Sequence, residues 1–269
     1  INSGMAIMRP CRTAGGVLAA AAMLAVVPAS PDNPVDASGL IARAAEQEIE
    51  DVGAWYDYRF RRDVIRESYD ADGTVTDREV LIFQCTPRGD AFDEVLIARN
   101  GRKPSERQIK KNLEAARFSK HLEMALAGSA DPSSDEAFTA LLTGLQRHEW
   151  RHHGFENIRG LRCHRLEMLP SPEPEDAKLE ERLVAAQVGT LWIEVDTLHI
   201  VRARISLGRP VTAYGVVRIE KLEIRSELGP VPGDGWLPQE IDMVSEVKVP
   251  LKRMRKRNHY RYSEFHKVE

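Results

Sequence analysis

The chain has 269 residues, 42% of them hydrophobic and 29% charged, with a formal net charge of −3. That balance is ordinary for a globular protein, gives no electrostatic case for a nucleic-acid partner, and comes with no cofactor-binding motif.

The first residues read as a targeting segment. Met5 and Met8 are possible starts, Arg9 and Arg12 supply positive charge, and Ala14 to Val27 is an apolar run of small residues, too short to cross a bilayer. Val27-Pro28-Ala29 has the residue sizes that a signal peptidase inspects. The expectation is a signal peptide over 1–29 and one exported domain over 30–269; a buried N-terminal helix is the competing reading. A lipid-anchored start fits poorly, because Cys11 precedes the apolar run. Export leaves Cys85 and Cys163 as an even pair in a compartment that permits disulfides. A bridge between them and two separate core thiols both fit.

Ala37 to Trp55 has helix chemistry, with Asp36 or Ser38 as cap and Leu40, Ile41, Ala44, Ala45, Glu48 and Ile49 on one stripe. From Tyr56 the period becomes two: Tyr56, Tyr58 and Phe60 alternate with Asp57, Arg59 and Arg61, and a second strand follows at Glu79 to Thr86. Between them, Asp70-Ala71-Asp72-Gly73 lacks EF-hand spacing, since Gly73 stands fourth instead of sixth; it reads as a plain turn. Asp93 to Arg99 is a third strand, ended by Asn100-Gly101, and Pro104-Ser105-Glu106 opens a charged helix to about Leu126. Another helical pattern runs from Asp135 to Leu145, with Phe138, Leu141, Leu142 and Leu145 on one side.

Gly160 to Pro170 is a strand whose facing the pattern leaves open, and Ala177 to Ala186 is a short amphipathic helix. Strands then follow at Thr190 to Asp196, Ile200 to Leu207, Val216 to Glu227, Leu237 to Val249 and Arg253 to Glu264. In the Leu237 to Val249 strand, Leu237, Ile241, Met243, Val247 and Val249 share one parity and Asp242, Glu246 and Lys248 take the other, as one buried and one wet face require. The last strand crowds Lys252, Arg253, Arg255, Lys256, Arg257 and Arg261. The reading weighs acidic membrane head groups against a solvated edge strand protected by charge, and favours the edge. The whole is α+β: a large antiparallel sheet with two or three helices on one side.

His148-Glu-Trp-Arg-His152 fits H-E-x-x-H. On a helix, residues four apart stand about 6 Å apart along the axis, so both imidazoles reach one zinc while Glu149 acts as base. On a strand they stand about 13 Å apart and project in parallel, and one metal cannot take both. Phe138, Leu141, Leu145, His148 and His152 continue a helical stripe, whereas Gly144, Trp150 and Phe155 favour extended chain. Chance alone yields such a match in roughly two chains per hundred of this composition. No downstream ligand is in zincin register; His164, Glu167 and Glu173 are not singled out.

Gly189-Thr-Leu-Trp-Ile-Glu-Val-Asp196, Val201-Arg-Ala-Arg204, Gly235-Trp-Leu-Pro238 and Tyr260-Arg-Tyr-Ser-Glu264 together resemble the LolA/LolB-like superfamily of exported, periplasmic lipoprotein and lipid carriers, in its uncharacterised bacterial branches. The resemblance covers most of the chain beyond residue 29, and its motifs are short and structural. It implies an incomplete, curved β-barrel whose concave face is covered by helices, and it favours a strand for Trp150 to His153. It also implies a non-enzymatic carrier with a hydrophobic cleft for acyl chains, its candidate lining being Tyr56, Tyr58, Phe60, Ile82, Ile97, Trp150, Ile193, Ile205, Ile241, Met243 and Val247. For each of these, plain core packing is the simpler explanation. Two other classes remain: a zinc hydrolase built on His148, Glu149 and His152, and an envelope interaction or sensor module with no stored ligand.

Overall fold

The computed structural model describes residues 35–89, 91–109, 147–173, 177, 179–213, 216–233, 235–250 and 252–268. The proposed signal peptide, the helix expected at 135–145 and the part beyond residue 109 of the helix expected from Pro104 to about Leu126 lie outside these residues.

Helix α1, Ala37–Trp55, has the bounds its periodicity predicts. Asp36 caps it, its Oδ1 accepting the Gly39 amide at 3.0 Å. Leu40, Ile41, Ala44 and Ala45 are buried against Trp150, Leu166, Met168, Leu191, Ile193, Ile200 and Ala203, as a single apolar stripe demands. At the end of that stripe the buried Glu48 accepts the backbone amide of Ile200 at 2.9 Å. A second short helix, α2, spans Leu179–Ala185. Between them, helical residues begin at 106, where Ser105 and Gln108 form a reciprocal capping box.

The strands are β1 (Tyr58–Tyr69), β2 (Val75–Arg88), β3 (Ala91–Arg99), β4 (Trp150–Ile158), β5 (Leu161–Met168), β6 (Gln187–Glu194), β7 (Ile200–Leu207), β8 (Val211–Ala213), β9 (Val217–Val231), β10 (Gly235–Val249) and β11 (Lys252–Lys267). They form one antiparallel 11-stranded sheet in the order β3-β2-β1-β11-β10-β9-β7-β6-β5-β4, with β8 paired to β9. Among the described residues the sheet is not closed into a barrel, and with its helices it is a curved α+β fold.

β11 is therefore not an edge strand. It pairs with β1 on one side and β10 on the other, so the expectation that its charge guards an exposed edge is corrected. Part of its charge is answered by acids: Arg257 pairs with Asp242 at 2.7 Å, and Arg253 pairs with Glu246 at 2.6 Å and with Glu220.

Cross-strand partners share a face, so the register identifies one continuous inner face. From β1 to β4 it runs through Arg62, Tyr262, Tyr260, Ile241, Met243, Ile224, Ile205, Ala203, Leu191, Leu166 and His152. Helix α1 packs on its β4–β7 part and also lies against β10. Helix α2 packs through Leu183 on Val211 and Ile219, with Leu207 beside them, and Ile219 is the partner of Val247 on that same face.

The opposite face carries a smaller cluster of Ile158, Cys163, Trp192, Val201 and Trp236. Strand β5 is thus covered on both sides, which explains why its facing cannot be read from alternation. Cys85 and Cys163 are both free. Six strands stand between β2 and β5 in the sheet, and the two thiols belong to different clusters, so the disulfide reading is corrected to two buried core thiols. Burial pushes the Cys85 thiol up to about 12.

Candidate functional site

The H-E-x-x-H stretch does not form the helix a zincin needs. His148 lies in a bend and β4 begins at Trp150, so the extended reading holds and the zinc-ligand assignment of His148 and His152 is corrected. The buried His148 places Nδ1 2.8 Å from the Leu169 carbonyl and 3.1 Å from Ser171 Oγ; since a carbonyl only accepts, Nδ1 carries the hydrogen. His152 turns elsewhere, its Nε2 standing 3.0 Å from His164 Nδ1. Glu149 is exposed and 3.6 Å from Arg151. The bulge at Gly154, with φ of +83°, shifts the register between His152 and Phe155 and brings Phe155 opposite His164.

The motifs that carry the family resemblance are packing devices. A side chain at Gly189 would collide with the Arg204 carbonyl oxygen of β7. A Cβ at Gly235 would stand 2.8 Å from Tyr58 Oη and 2.9 Å from Val231, so glycine there admits the Tyr58 ring. Trp236 next to it donates Nε1–H to the Ile200 carbonyl at 3.0 Å and stacks on His199 at 4.7 Å.

The proposed lining residues divide into three sets. Tyr58, Phe60, Trp150 and Ile193 are buried core; Tyr58 donates to the Gly233 carbonyl at 3.0 Å, and Trp150 and Ile193 pack under α1. Tyr56 lies in the turn before β1, where it stacks on Phe92 with centroids 5.2 Å apart. Ile82 and Ile97 are misassigned as lining. Leu81, Phe83, Cys85 and Leu96 take the buried positions of β2 and β3, so the pleat turns Ile82 outward, and a bulge in the β2–β3 pairing leaves Ile97 44% exposed beside the exposed Val95.

Ile205, Ile241, Met243 and Val247 form the third set. All four are half-buried and lie on the inner face. Leu222 and Ile224 of β9, which the sequence reading did not single out, lie among them: Ile224 is paired with Met243 and Ile205, and Leu222 with Ser245. The β9 alternation, in which Lys221, Glu223 and Arg225 alternate with these two, carried the signal. The result is an apolar stripe across β7, β9 and β10, continuous with the sealed cluster under α1 at Ile205.

The other face of the same strands is a charge ladder. A concavity of about 340 Å³ is lined by Tyr69, Lys221, Glu223, Arg225, Asp242, Val244, Arg255 and Arg257. Lys221 and Arg225 both pair with Glu223, Arg257 pairs with Asp242, and Arg255 stacks over the Tyr69 ring at 5.1 Å. Such opposite-face segregation, apolar inward and paired charges outward, is what a sheet wet on one side requires.

No family model matches the chain, and no curated protein matches it. Its structure is similar to that of a DUF1329 family protein from Desulfovibrio piger, at 12% identity over 84% of this chain and 92% of that one, with a TM-score of 0.33. It is also similar to a LolA superfamily protein from Nitrosomonas europaea, at 11% identity over 87% and 94%, with a TM-score of 0.32. A third similar structure is the MucA/MucB complex of Pseudomonas aeruginosa, at 11% identity over 87% and 99%, with a TM-score of 0.24.

Proposed function

We propose that the protein is an exported, periplasmic, non-enzymatic binding protein or carrier that holds a lipid or a lipoprotein acyl chain on its inner face. The observation that carries this reading is the stripe of Ile205, Leu222, Ile224, Ile241, Met243 and Val247, half-buried on a sheet whose β5 and β6 are sealed on the same face. Apolar area left partly in water is a reserve of binding free energy, at about 25 cal/mol per Å² removed on ligand contact. The leader over 1–29 and a single domain over 30–269 belong to the same proposal.

The test is uptake of a fluorescent fatty acid by delipidated protein, with mass spectrometry of organic extracts from protein purified without detergent. The reading expects saturable uptake and co-purifying lipid; no uptake and no lipid would refute it. Charge on β11 supports a membrane-surface role less well, because Arg253 and Arg257 are already answered by Glu220, Glu246 and Asp242. An interaction module is a second reading, favoured by the exposed Val95 and Ile97 on β3, the strand at the end of the sheet. It expects a protein partner whose capture is lost on Val95→Lys while fatty-acid uptake is unaffected.

A further inference from the structure

Arg62 is a cation where the pleat calls for an apolar side chain. It stands on the inner face between Phe60 and Val64, both buried, opposite Phe83 on β2 and Tyr262 on β11. Its guanidinium lies 5.1 Å from the Phe83 ring centroid, and Nη2 binds Glu94 of β3 at 2.5 Å. Its Nε is buried and has no hydrogen-bond partner among the described residues. Burial alone would lower its pKa; the Glu94 carboxylate outweighs that, and the net direction is up, so the group stays charged. Burying a charge with a donor left unsatisfied is costly, and natural sequences tolerate such sites where the group has work to do.

The position suggests the work. Tyr262 is two residues from Tyr260, which pairs with Val64 and with Ile241, so the Arg62 backbone lies two strand spacings across and two residues along from the near end of the apolar stripe, roughly 12 Å, and its guanidinium turns from there toward Phe83 and Glu94. With 21% of its side chain exposed, it is within reach of a ligand on the inner face. Glu94 is 33% exposed and sits on β3, and the guanidinium has five N–H donors of which that carboxylate engages few.

We propose that Arg62 receives the anionic oxygen headgroup of an amphiphile whose chain lies along Ile241, Met243 and Ile224. This rests on the acyl-binding reading above and specifies its ligand class: chains ending in a carboxylate or phosphate, over chains ending in a neutral group.

Displacement of Nile red, a neutral probe, from delipidated full-chain protein by dodecanoate, dodecyl phosphate and dodecanol tests this. The wild type should take at least one acid about tenfold more tightly than dodecanol, the scale of one charge-assisted hydrogen-bonding pair, and the preferred acid identifies carboxylate or phosphate. Arg62→Met should bring that preference below about twofold and leave dodecanol unchanged, with Arg62→Lys in between. Should Arg62→Met fail to fold by circular dichroism, Glu94→Gln serves: it removes the competing carboxylate and should strengthen the preference for acids. Equal binding of acid and alcohol by the wild type, a preference that survives in folded Arg62→Met, or a preference that Glu94→Gln leaves unchanged or weakens overturns the headgroup assignment alone. If none of the three displaces the probe from a stripe that does bind Nile red, or Nile red itself does not bind, the acyl-binding reading fails with it.

Discussion

Two parts of the inner face use the same kind of residue to opposite ends. On β5 and β6, Leu166, Met168, Leu191 and Ile193 are no more than 1% exposed beneath Leu40, Ile41, Ala44 and Ala45 of α1. On β9 and β10, Leu222, Ile224, Ile241, Met243 and Val247 share the pleat and the polarity yet remain half-buried and belong to none of the buried clusters. Among the described residues, the difference is cover by the buried side chains of α1. Apolar surface that meets α1 contributes to folding, and apolar surface that meets water is available to a ligand.

Mutation should separate the two parts most sharply at their centres. Leu191→Ala empties space beneath α1 and should cost about 2–5 kcal/mol of stability, read as a fall in the denaturant midpoint; Met243→Ala, on the exposed part, should cost under about 1.5 kcal/mol. An equal loss at both sites would erase the distinction. Next in size is Glu48→Leu, which leaves the Ile200 amide without its acceptor and should cost about 1–3 kcal/mol, read as a lower melting temperature with fatty-acid uptake preserved in the folded fraction.

Function should sort the other way. Replacing Ile224 with Ser should weaken fatty-acid uptake about tenfold, close to the transfer free energy of one buried aliphatic side chain, while leaving the melting temperature within a few degrees; a titration of the fluorescent ligand against both proteins checks it. Leu166→Ala should alter uptake only as far as it unfolds the protein.

The smallest expected effect is on pH. Burial first, and then neighbouring positive charge, lowers the pKa of His152 and of His164 from the ordinary 6.5. For an imidazole whose folded pKa lies below its unfolded value, the unfolded chain binds the extra proton first, so stability is full above about pH 6.5 and declines as pH falls through the folded values. Two protonated rings also cannot share the 3.0 Å Nε2–Nδ1 hydrogen bond. Melting temperature should therefore fall between pH 7 and pH 5, and the double variant His152→Gln, His164→Leu should flatten that slope; an unchanged slope would mean the pair is not its source.

Much of this was legible in the sequence. The α1 stripe set both of its ends, and the alternation of Ile241, Met243 and Val247 against Asp242, Glu246 and Lys248 set the facing of β10, because each element keeps its apolar residues on one side only. β5 escaped that logic: Cys163 is buried among Trp192 and Trp236 while Leu166 and Met168 are buried under α1, and two-sided burial has no period of two. Ile82 and Ile97 were misassigned because hydrophobicity does not say which face of a strand is covered; their neighbours Leu81, Phe83 and Leu96 decide it. Strand order was out of reach, since pairing β11 with β1 joins the two ends of the described fold across some two hundred residues, and that pairing alone turns a charged "edge" into a central strand. Arg62 has a signal in the sequence too, a charge on the apolar parity of Phe60 and Val64.

The most direct measurement of the central claim is a nuclear magnetic resonance titration of delipidated protein with a ¹³C-labelled fatty acid, watching side-chain methyl groups on both parts of the inner face. Contact shifts and ligand-to-protein Overhauser effects confined to Ile205, Leu222, Ile224, Ile241, Met243 and Val247, with Leu166, Leu191 and Ile193 unchanged, are the expected result. Ligand contacts to the methyl groups of Leu166, Leu191 or Ile193, or a saturating titration that shifts none of the stripe's methyl groups, would contradict it.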